Sequence, residues 1–311
     1  MLTYHHEPVM CSEVVDVLSK VPGGVFLDAT IGGGGHSLAL LESHPELQLV
    51  GIDRDPAALQ AAAQRLHAFH RKTTLQHACF SKLEEILDEL GCPRITAALF
   101  DLGVSSVHFD DAKRGFSYRL EGPLDMRMNP TTGITAAEIV NQSTTRTLKL
   151  ILRENSDEPY AYRIANAIVK KRPFHTTTEL AEVVKASVPA AVRRRGHPAR
   201  RVFQALRIEV NSELRILAPA LESVLKRLAP AGRCVVLSYH SGEDRIVKNV
   251  FRQAASAVVP QKSGLPLPVK VEPSVRLLWK KPRRPSEAEK NLNSRSSSAY
   301  LRGVERLDAK D

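Results

Sequence analysis

Four consecutive glycines, Gly32-Gly33-Gly34-Gly35, lie between Asp28 and His36, and they are the sharpest chemical signal in the 311-residue chain. Such a run lets a ligand approach the backbone closely, whereas a plain strand-to-helix turn needs only one or two glycines. No Gly-Lys-Ser/Thr follows, which excludes a phosphate-cradling P-loop. About 20 residues on stands Asp53, placed to accept hydrogen bonds from both hydroxyls of a ribose. The glycines and Asp53 by themselves suit a nicotinamide dinucleotide equally well. Asp28 stands where it can hold an ammonium group, and a later apolar run ends in Asp101-Leu102-Gly103. Together these favour S-adenosylmethionine, whose tail is a zwitterionic amino acid and not a pyrophosphate.

Residues so far apart meet only on a scaffold that gathers strand ends. Short apolar runs at 25–28, 49–53, 74–77 and 97–101 predict four buried parallel strands. Asp55 predicts a helix cap, with Pro56 in the first position of a helix over 57–70. Ser81 and Glu84 predict a capping box for a second helix that stops near Gly91. This alternation is that of a doubly wound α/β sheet of Rossmann-like form. The next strand, at 234–237, comes roughly 130 residues after Asp101, too far for one crossover. An inserted, mostly helical domain is expected, with helical periodicity at 136–141, 147–153, 160–171, 178–187 and 199–212. Residues 214–228 then read as the returning helix, kinked or divided at Pro219. The expected division is 1–130 plus 208–311 for the sheet domain and 131–207 for the insertion.

Charge separates along the same line. Residues 1–130 carry 11 Lys+Arg against 17 Asp+Glu, and residues 131–311 carry 33 against 17, so a net −6 is followed by +16. An asymmetry of this size points to a polyanionic partner. Arg193, Arg194, Arg195, Arg200 and Arg201 crowd around Gly196-His197-Pro198, and arginines so dense repel unless an anion joins them. Lys170-Lys171-Arg172 and the arginines from 276 onward extend this expected footprint. Four scattered cysteines offer neither a disulfide framework nor zinc-ligand spacing, so no structural metal is expected. No run of about 18 apolar residues occurs, and the first residues lack a secretory pattern. A cytoplasmic protein without a membrane partner fits these features.

Longer motifs add a resemblance. The blocks His6-Glu7-Pro8-Val9-Met10, the glycine loop, Gly51-Ile52-Asp53-Arg54-Asp55-Pro56 and Asp101-Leu102-Gly103-Val104-Ser105-Ser106 run through the first third. Further on come Arg114-Gly115-Phe116-Ser117, Gly122-Pro123-Leu124-Asp125-Met126-Arg127-Met128, a block over 201–211, and Ser238-Tyr239-His240-Ser241-Gly242-Glu243-Asp244-Arg245. In these the chain resembles the MraW/RsmH family of bacterial 16S rRNA cytosine N4-methyltransferases, over nearly its whole length. The resemblance implies a class I methyltransferase sheet and transfer of the methyl group of S-adenosyl-L-methionine to the N4 amine of a cytidine in the decoding region. It implies cofactor contacts at Gly34, Gly35, His36, Asp53, Phe80, Asp101 and His108. Three places depart from the family pattern: Val107-His108-Phe109 stands for Pro-Gln-Leu, Gly242 for leucine, and the segment 294–300 differs from the C-terminal Arg-Ser-Ala pattern. The implied partner is 16S rRNA, within the small ribosomal subunit, and the insertion becomes an RNA-recognition domain. The assembly, monomer or homodimer, is left open.

The chemistry of the amine assigns roles beside the family name. A cytosine N4 lone pair is delocalised into the ring, and it becomes nucleophilic when acceptors hold its hydrogens out of conjugation. Asp101 fits that role, and equally a contact to cofactor alone. Tyr239 and His240 are expected on a loop facing the base, Tyr239 stacking on it or packing in the core, His240 contacting the base or a phosphate. A hydrolase triad within residues 238–244 is excluded by their closeness in sequence and the lack of Gly-x-Ser-x-Gly. His6 reads either as part of a closure over the methionine end or as a surface residue. The competing readings are a non-catalytic RNA-binding assembly factor and, leaving the basic half unexplained, an NAD-dependent oxidoreductase.

Overall fold

In the computed structural model, which describes residues 8–194, 196–259, 269–270 and 272–308, strand and helix alternate from the start. The order is α1 (Cys11–Leu18), β1 (Gly24–Asp28), α2 (Gly35–Ser43), β2 (Leu47–Asp53), α3 (Pro56–Arg65), β3 (Thr73–His77), α4 (Leu83–Glu89) and β4 (Ile95–Asp101). All four expected strands are present and pair in parallel. Asp55 caps α3 by accepting the Ala57 N–H, with Pro56 leading the helix. The Ser81–Glu84 capping box does not form. Residues Phe80–Lys82 tighten into a 3-10 turn, and α4 starts one residue later than a Ser81 cap allows, without a side-chain cap.

The chain divides into two units, one of Met1–Gly103 with Ile216–Asp311 and one of Val104–Arg215. The second is helical: α5 (Ser106–Asp110), α6 (Ala136–Gln142), α7 (Thr145–Ser156), α8 (Ala161–Lys171), α9 (Thr177–Ser187), α10 (Ala190–Arg193) and α11 (Ala199–Asn211). Thr135 with Glu138, and Thr176 with Glu179, form reciprocal capping boxes that start α6 and α9. Leu148, Leu152, Ile164, Ile168, Leu180 and Leu206 recur at helical spacing and are fully buried in one core. Phe116, Leu124, Met126 and Met128 lie in that core too. The unit therefore begins at 104 instead of 131 and ends at 215 instead of 207. Asn211 holds the added loop, accepting the Met128 N–H and donating to the Met126 carbonyl, both at 2.8 Å.

Beyond it run α12 (Glu213–Arg227), β5 (Leu228–Ser238), α13 (Ser241–Ala254), β6 (Val258–Val259), β7 (Val269–Lys270), β8 (Val275–Leu277), α14 (Glu287–Leu292) and β9 (Tyr300–Arg306). Helix α12 runs through Pro219 as one element, so the expected division there does not occur. The seven-stranded sheet has the order β3-β2-β1-β4-β5-β9-β8, with β9 antiparallel to both neighbours. Alternate strand residues face opposite sides. Leu27, Ile52, Phe100 and Val236 join one core with α4, α12 and α13, while Phe26, Leu49, Leu99 and Leu237 join another with α1, α2 and α3. Each fully buried leucine or phenylalanine contributes about 2–3 kcal/mol, which fixes the register of every strand end. The order in which strands are added reverses between the parallel neighbours β1 and β4, the switch point at which open α/β sheets bind ligands beyond their strand ends.

Candidate functional site

Three carboxylates close the strands at that point: Asp28 on β1, Asp53 on β2 and Asp101 on β4. The loop leaving β1 is strapped on both sides, since the Ala29 N–H donates to Leu99 O and the Ile31 N–H to Ile52 O. Gly34 is the N-cap of α2 with φ 74°, in the left-handed region that disfavours a side chain. No side chain caps this helix, so the positive end of α2, at Gly35 and His36, is not neutralised by the protein's own caps.

Asp53 shapes the loop from the next strand. Its Oδ2 accepts the Gly32 N–H at 2.8 Å and its Oδ1 the Asp55 N–H at 2.9 Å. These bonds hold the half-buried Asp53 against the glycine loop at the end of β2. Asp28 ends β1 as the sequence suggests, with its carboxylate engaged inside the protein. It is 2% exposed, accepting the Ser37 hydroxyl at 2.6 Å and the Thr30 N–H at 3.2 Å. Burial pushes its carboxyl up to about 6, against the opposing pull of Ser37, His36 and Thr30. It ties the loop to α2.

Asp101 gathers more partners than any sequence feature announces. Its N–H donates to Thr30 Oγ1 at 2.6 Å, and its Oδ1 accepts the Tyr239 hydroxyl at 2.6 Å. Its Oδ2 lies 3.7 Å from His36 Nδ1, and His36 Nε2 meets the Val9 carbonyl at 2.9 Å. A carbonyl only accepts, so His36 carries a proton on Nε2. Burial, then the charge of Asp101, pushes the Tyr239 phenol well up, which keeps it a neutral donor. Tyr239 thus reaches Asp101 through its hydroxyl.

The block after β5 is shorter as a loop than expected, because α13 begins at Ser241. His240 is its N-cap, accepting the Glu243 N–H at Nδ1, while its Nε2 lies 3.1 Å from Glu243 Oε1 without the alignment of a hydrogen bond. Glu243, 2% exposed, completes the capping box by accepting the Tyr239 and His240 N–H groups at 2.8 and 3.3 Å. Its importance was hidden because histidine is not among the usual capping residues. Phe80 packs edge-on to Phe100, with the Arg54 guanidinium 5.8 Å above its ring and Arg54 Nη2 2.8 Å from Cys79 Sγ.

Gly34, Gly35, His36, Asp53, Phe80 and Asp101 therefore belong to the sheet unit. His108 belongs to the helical unit, 6% exposed, with Nδ1 3.0 Å from Ser105 Oγ and its ring against Phe116. In that same unit Arg193, Arg194, Arg200 and Arg201 are all exposed, and among the described residues no acid pairs with them. Arg195 and His6 lie outside the described residues. Arg200 and Arg201 sit in the first turn of α11, which has no side-chain cap and where a cation is opposed by the helix dipole. An anion would relieve both. Beside them His197 stacks on Tyr118 with ring centroids 4.7 Å apart, and Arg119 lies 5.6 Å over the same tyrosine. The remaining basic residues divide. Arg172 donates to the carbonyls of Val140 and Ser143, Arg276 pairs with Glu305, and Arg302 grips Asp244 with two bonds, so these three serve the fold.

The donor set fits an adenosine cofactor with an amino-acid tail: an acceptor carboxylate on β2, an uncapped helix N-terminus, and a second carboxylate on β4. Among the described residues no group of histidine, cysteine and acid suits a metal ion, and no helix is long and apolar enough to cross a membrane. The model of the MraW methylase family matches residues 3–307. A protein named ribosomal RNA small subunit methyltransferase H from Thermobifida fusca is 50% identical over 308 residues, 97% of this chain and 93% of its own. The protein of the same name from Streptomyces avermitilis is 46% identical over 310 residues, 97% of each. A solved putative rRNA-methylase from Clostridium thermocellum has TM-score 0.46 and 12% identity, covering 97% of this chain and 100% of that one.

Proposed function

The chain belongs to the MraW methylase family, and on that premise we propose that it transfers a methyl group from S-adenosyl-L-methionine to the exocyclic N4 amine of a cytidine in the decoding region of 16S rRNA. The observation that carries the chemistry is Asp101, fixed by Thr30 through its backbone and by Tyr239 through its carboxylate. S-adenosylmethionine supplies, when bound, a methyl group on a sulfonium, a leaving group that needs no acid. The residues of this chain have two tasks. Asp53 accepts the ribose hydroxyls, and the N-terminus of α2 at Gly34, Gly35 and His36 receives the carboxylate of the tail. Asp101 accepts an N–H of the amine, draws its lone pair out of conjugation with the ring, and takes the proton that N4 releases once the N–CH3 bond has formed and the C–S bond has broken to leave a neutral thioether.

Rate then comes from holding amine and methyl in line, a gain that positioning alone can make large. No covalent intermediate is needed, and Cys234 supports none, since burial pushes its thiol far up. Phe80, stiffened by Phe100 and Arg54, bounds the adenine side, and His240 keeps the Tyr239 turn in place from its position as cap. His108 stands at the cofactor position where the family pattern has glutamine. Arg193, Arg194, Arg195, Arg200 and Arg201 take rRNA phosphates, so the helical unit is the RNA-recognition domain of an enzyme working in the cytoplasm on the small subunit.

The test is transfer of radiolabelled methyl to small subunits lacking the modification, with the product nucleoside identified by mass spectrometry. Wild type should give N4-methylcytidine, and Asp101→Ala should lose at least about a hundredfold in rate, the scale of a lost proton-accepting group. Persistence of the label in Asp101→Ala overturns the role of that residue. Absence of label on both subunits and naked rRNA, with cofactor bound, overturns the activity.

A further inference from the structure

Within the helical unit, α7 and α8 lie side by side and turn a common basic face outward. Arg146, Lys149 and Arg153 recur at i, i+3 and i+7 on α7, and Tyr162, Arg163 and Lys170 lie on the outer side of α8. Lys149 Nζ stands 6.0 Å from the centre of the Tyr162 ring, which fixes the two rows as neighbours. Tyr162 is 62% exposed, the most exposed aromatic side chain among the described residues. Among the described residues the acids nearest in sequence, Glu154, Asp157 and Glu158, make no ion pair with these five cations. Glu154 on α7 and Asp157 at its C-cap are within reach in sequence and are not used, and α8 carries no acid at all.

An aromatic face in water beside five unpaired cations has one natural complement, a strand of phosphates carrying bases with open π-faces. We propose that the outer face of α7 and α8 is a second rRNA contact, separate in sequence from the arginines at 193–201, at which an unstacked base lies on Tyr162 and the flanking cations hold its phosphates. The inference rests on the rRNA reading above. It adds a nucleotide-stacking residue that neither the sequence motifs nor the methyl-transfer chemistry calls for.

Binding of naked 16S rRNA and of unmodified small subunits to the whole chain, across a range of salt concentrations, tests it apart from catalysis. Tyr162→Ala should weaken both affinities about five- to a hundredfold, the usual range for losing one base–aromatic stack, while Tyr162→Phe stays near wild type. Each of Arg146→Ala, Arg153→Ala and Arg163→Ala should lower the slope of log affinity against log salt by about one. Methyl transfer at saturating rRNA should keep its kcat, and unchanged thermal melting shows that the variants are folded. Wild-type affinity of Tyr162→Ala for naked rRNA overturns the proposal. If that variant loses affinity only for assembled subunits, the face contacts a ribosomal protein and the proposal is again overturned. Wild-type protein that binds no 16S rRNA would overturn the methyltransferase reading as well.

Discussion

Asp28 is the residue at which the loop geometry costs most, because a fully desolvated carboxylate resists ionisation. Its value of about 6 lies above that of an unfolded aspartate near 3.9, so the sign is fixed. Below about pH 4 the acid is protonated in both states and costs nothing. Between about 4 and 6 stability falls, and above 6 the full cost, about 3 kcal/mol, is present. Asp28→Asn keeps an acceptor for the Thr30 N–H and can donate its amide N–H to the Ser37 hydroxyl oxygen, without the charge, so its Tm should exceed wild type above pH 6 and match it near pH 4. Tyr239→Phe removes only the hydroxyl that Asp101 accepts. It should lower kcat roughly tenfold with KM for the cofactor unchanged, as steady-state methyl transfer will show. His240→Ala should cost about 1 kcal/mol in urea denaturation, with His240→Asn restoring it, as expected of a cap. The three strand-end carboxylates and the glycines were legible in the sequence because each closes an apolar run. The Tyr239–Asp101 bond was not, since 138 residues separate its partners and only the folded sheet joins them.

Among the elements, those with local punctuation were the readable ones. Asp55-Pro56 starts α3 as its residues dictate, and the five longer helices of the second unit follow their apolar spacing. Strand β9 was hidden because Arg302, Gly303 and Glu305 interrupt any apolar alternation, and their charges are matched only by distant elements. Arg233 and Arg276 both close on Glu305, and Arg302 closes on Asp244 of α13. Both members of the Arg302–Asp244 pair are largely buried, at 13% and 16% exposure. Arg302→Ala leaves Asp244 without its bidentate partner and should destabilise the protein by about 3 kcal/mol in urea denaturation. The composition of the C-terminal segment reads as a basic tail, yet its arginines are partly internal fastenings. Charge runs do not reveal whether their partners lie in solvent, in nucleic acid or one helix away.

At the scale of the molecule, the shift from −6 to +16 along the chain places the polyanion-facing capacity in the later part, but not all of it at the surface. Replacing Arg193, Arg194, Arg200 and Arg201 together by alanine should lower the salt slope of rRNA binding by roughly three to four. Replacing Arg276, which pairs with Glu305, should leave that slope unchanged. Fluorescence titration at several ionic strengths distinguishes the two sets. The discontinuity of the sheet unit also has a consequence for how the protein is made. Strand β4 receives β5 only after the whole helical unit has been synthesised, and β5 receives β9 later still. During translation the nascent sheet therefore presents the bare edge of Ile95–Asp101, an apolar strand open to pairing with any neighbouring chain. The contiguous helical unit can complete its own core meanwhile. The order of synthesis thus exposes one strand edge for a long interval, the stage at which a chaperone would matter most and at which overproduction would send the protein into aggregates.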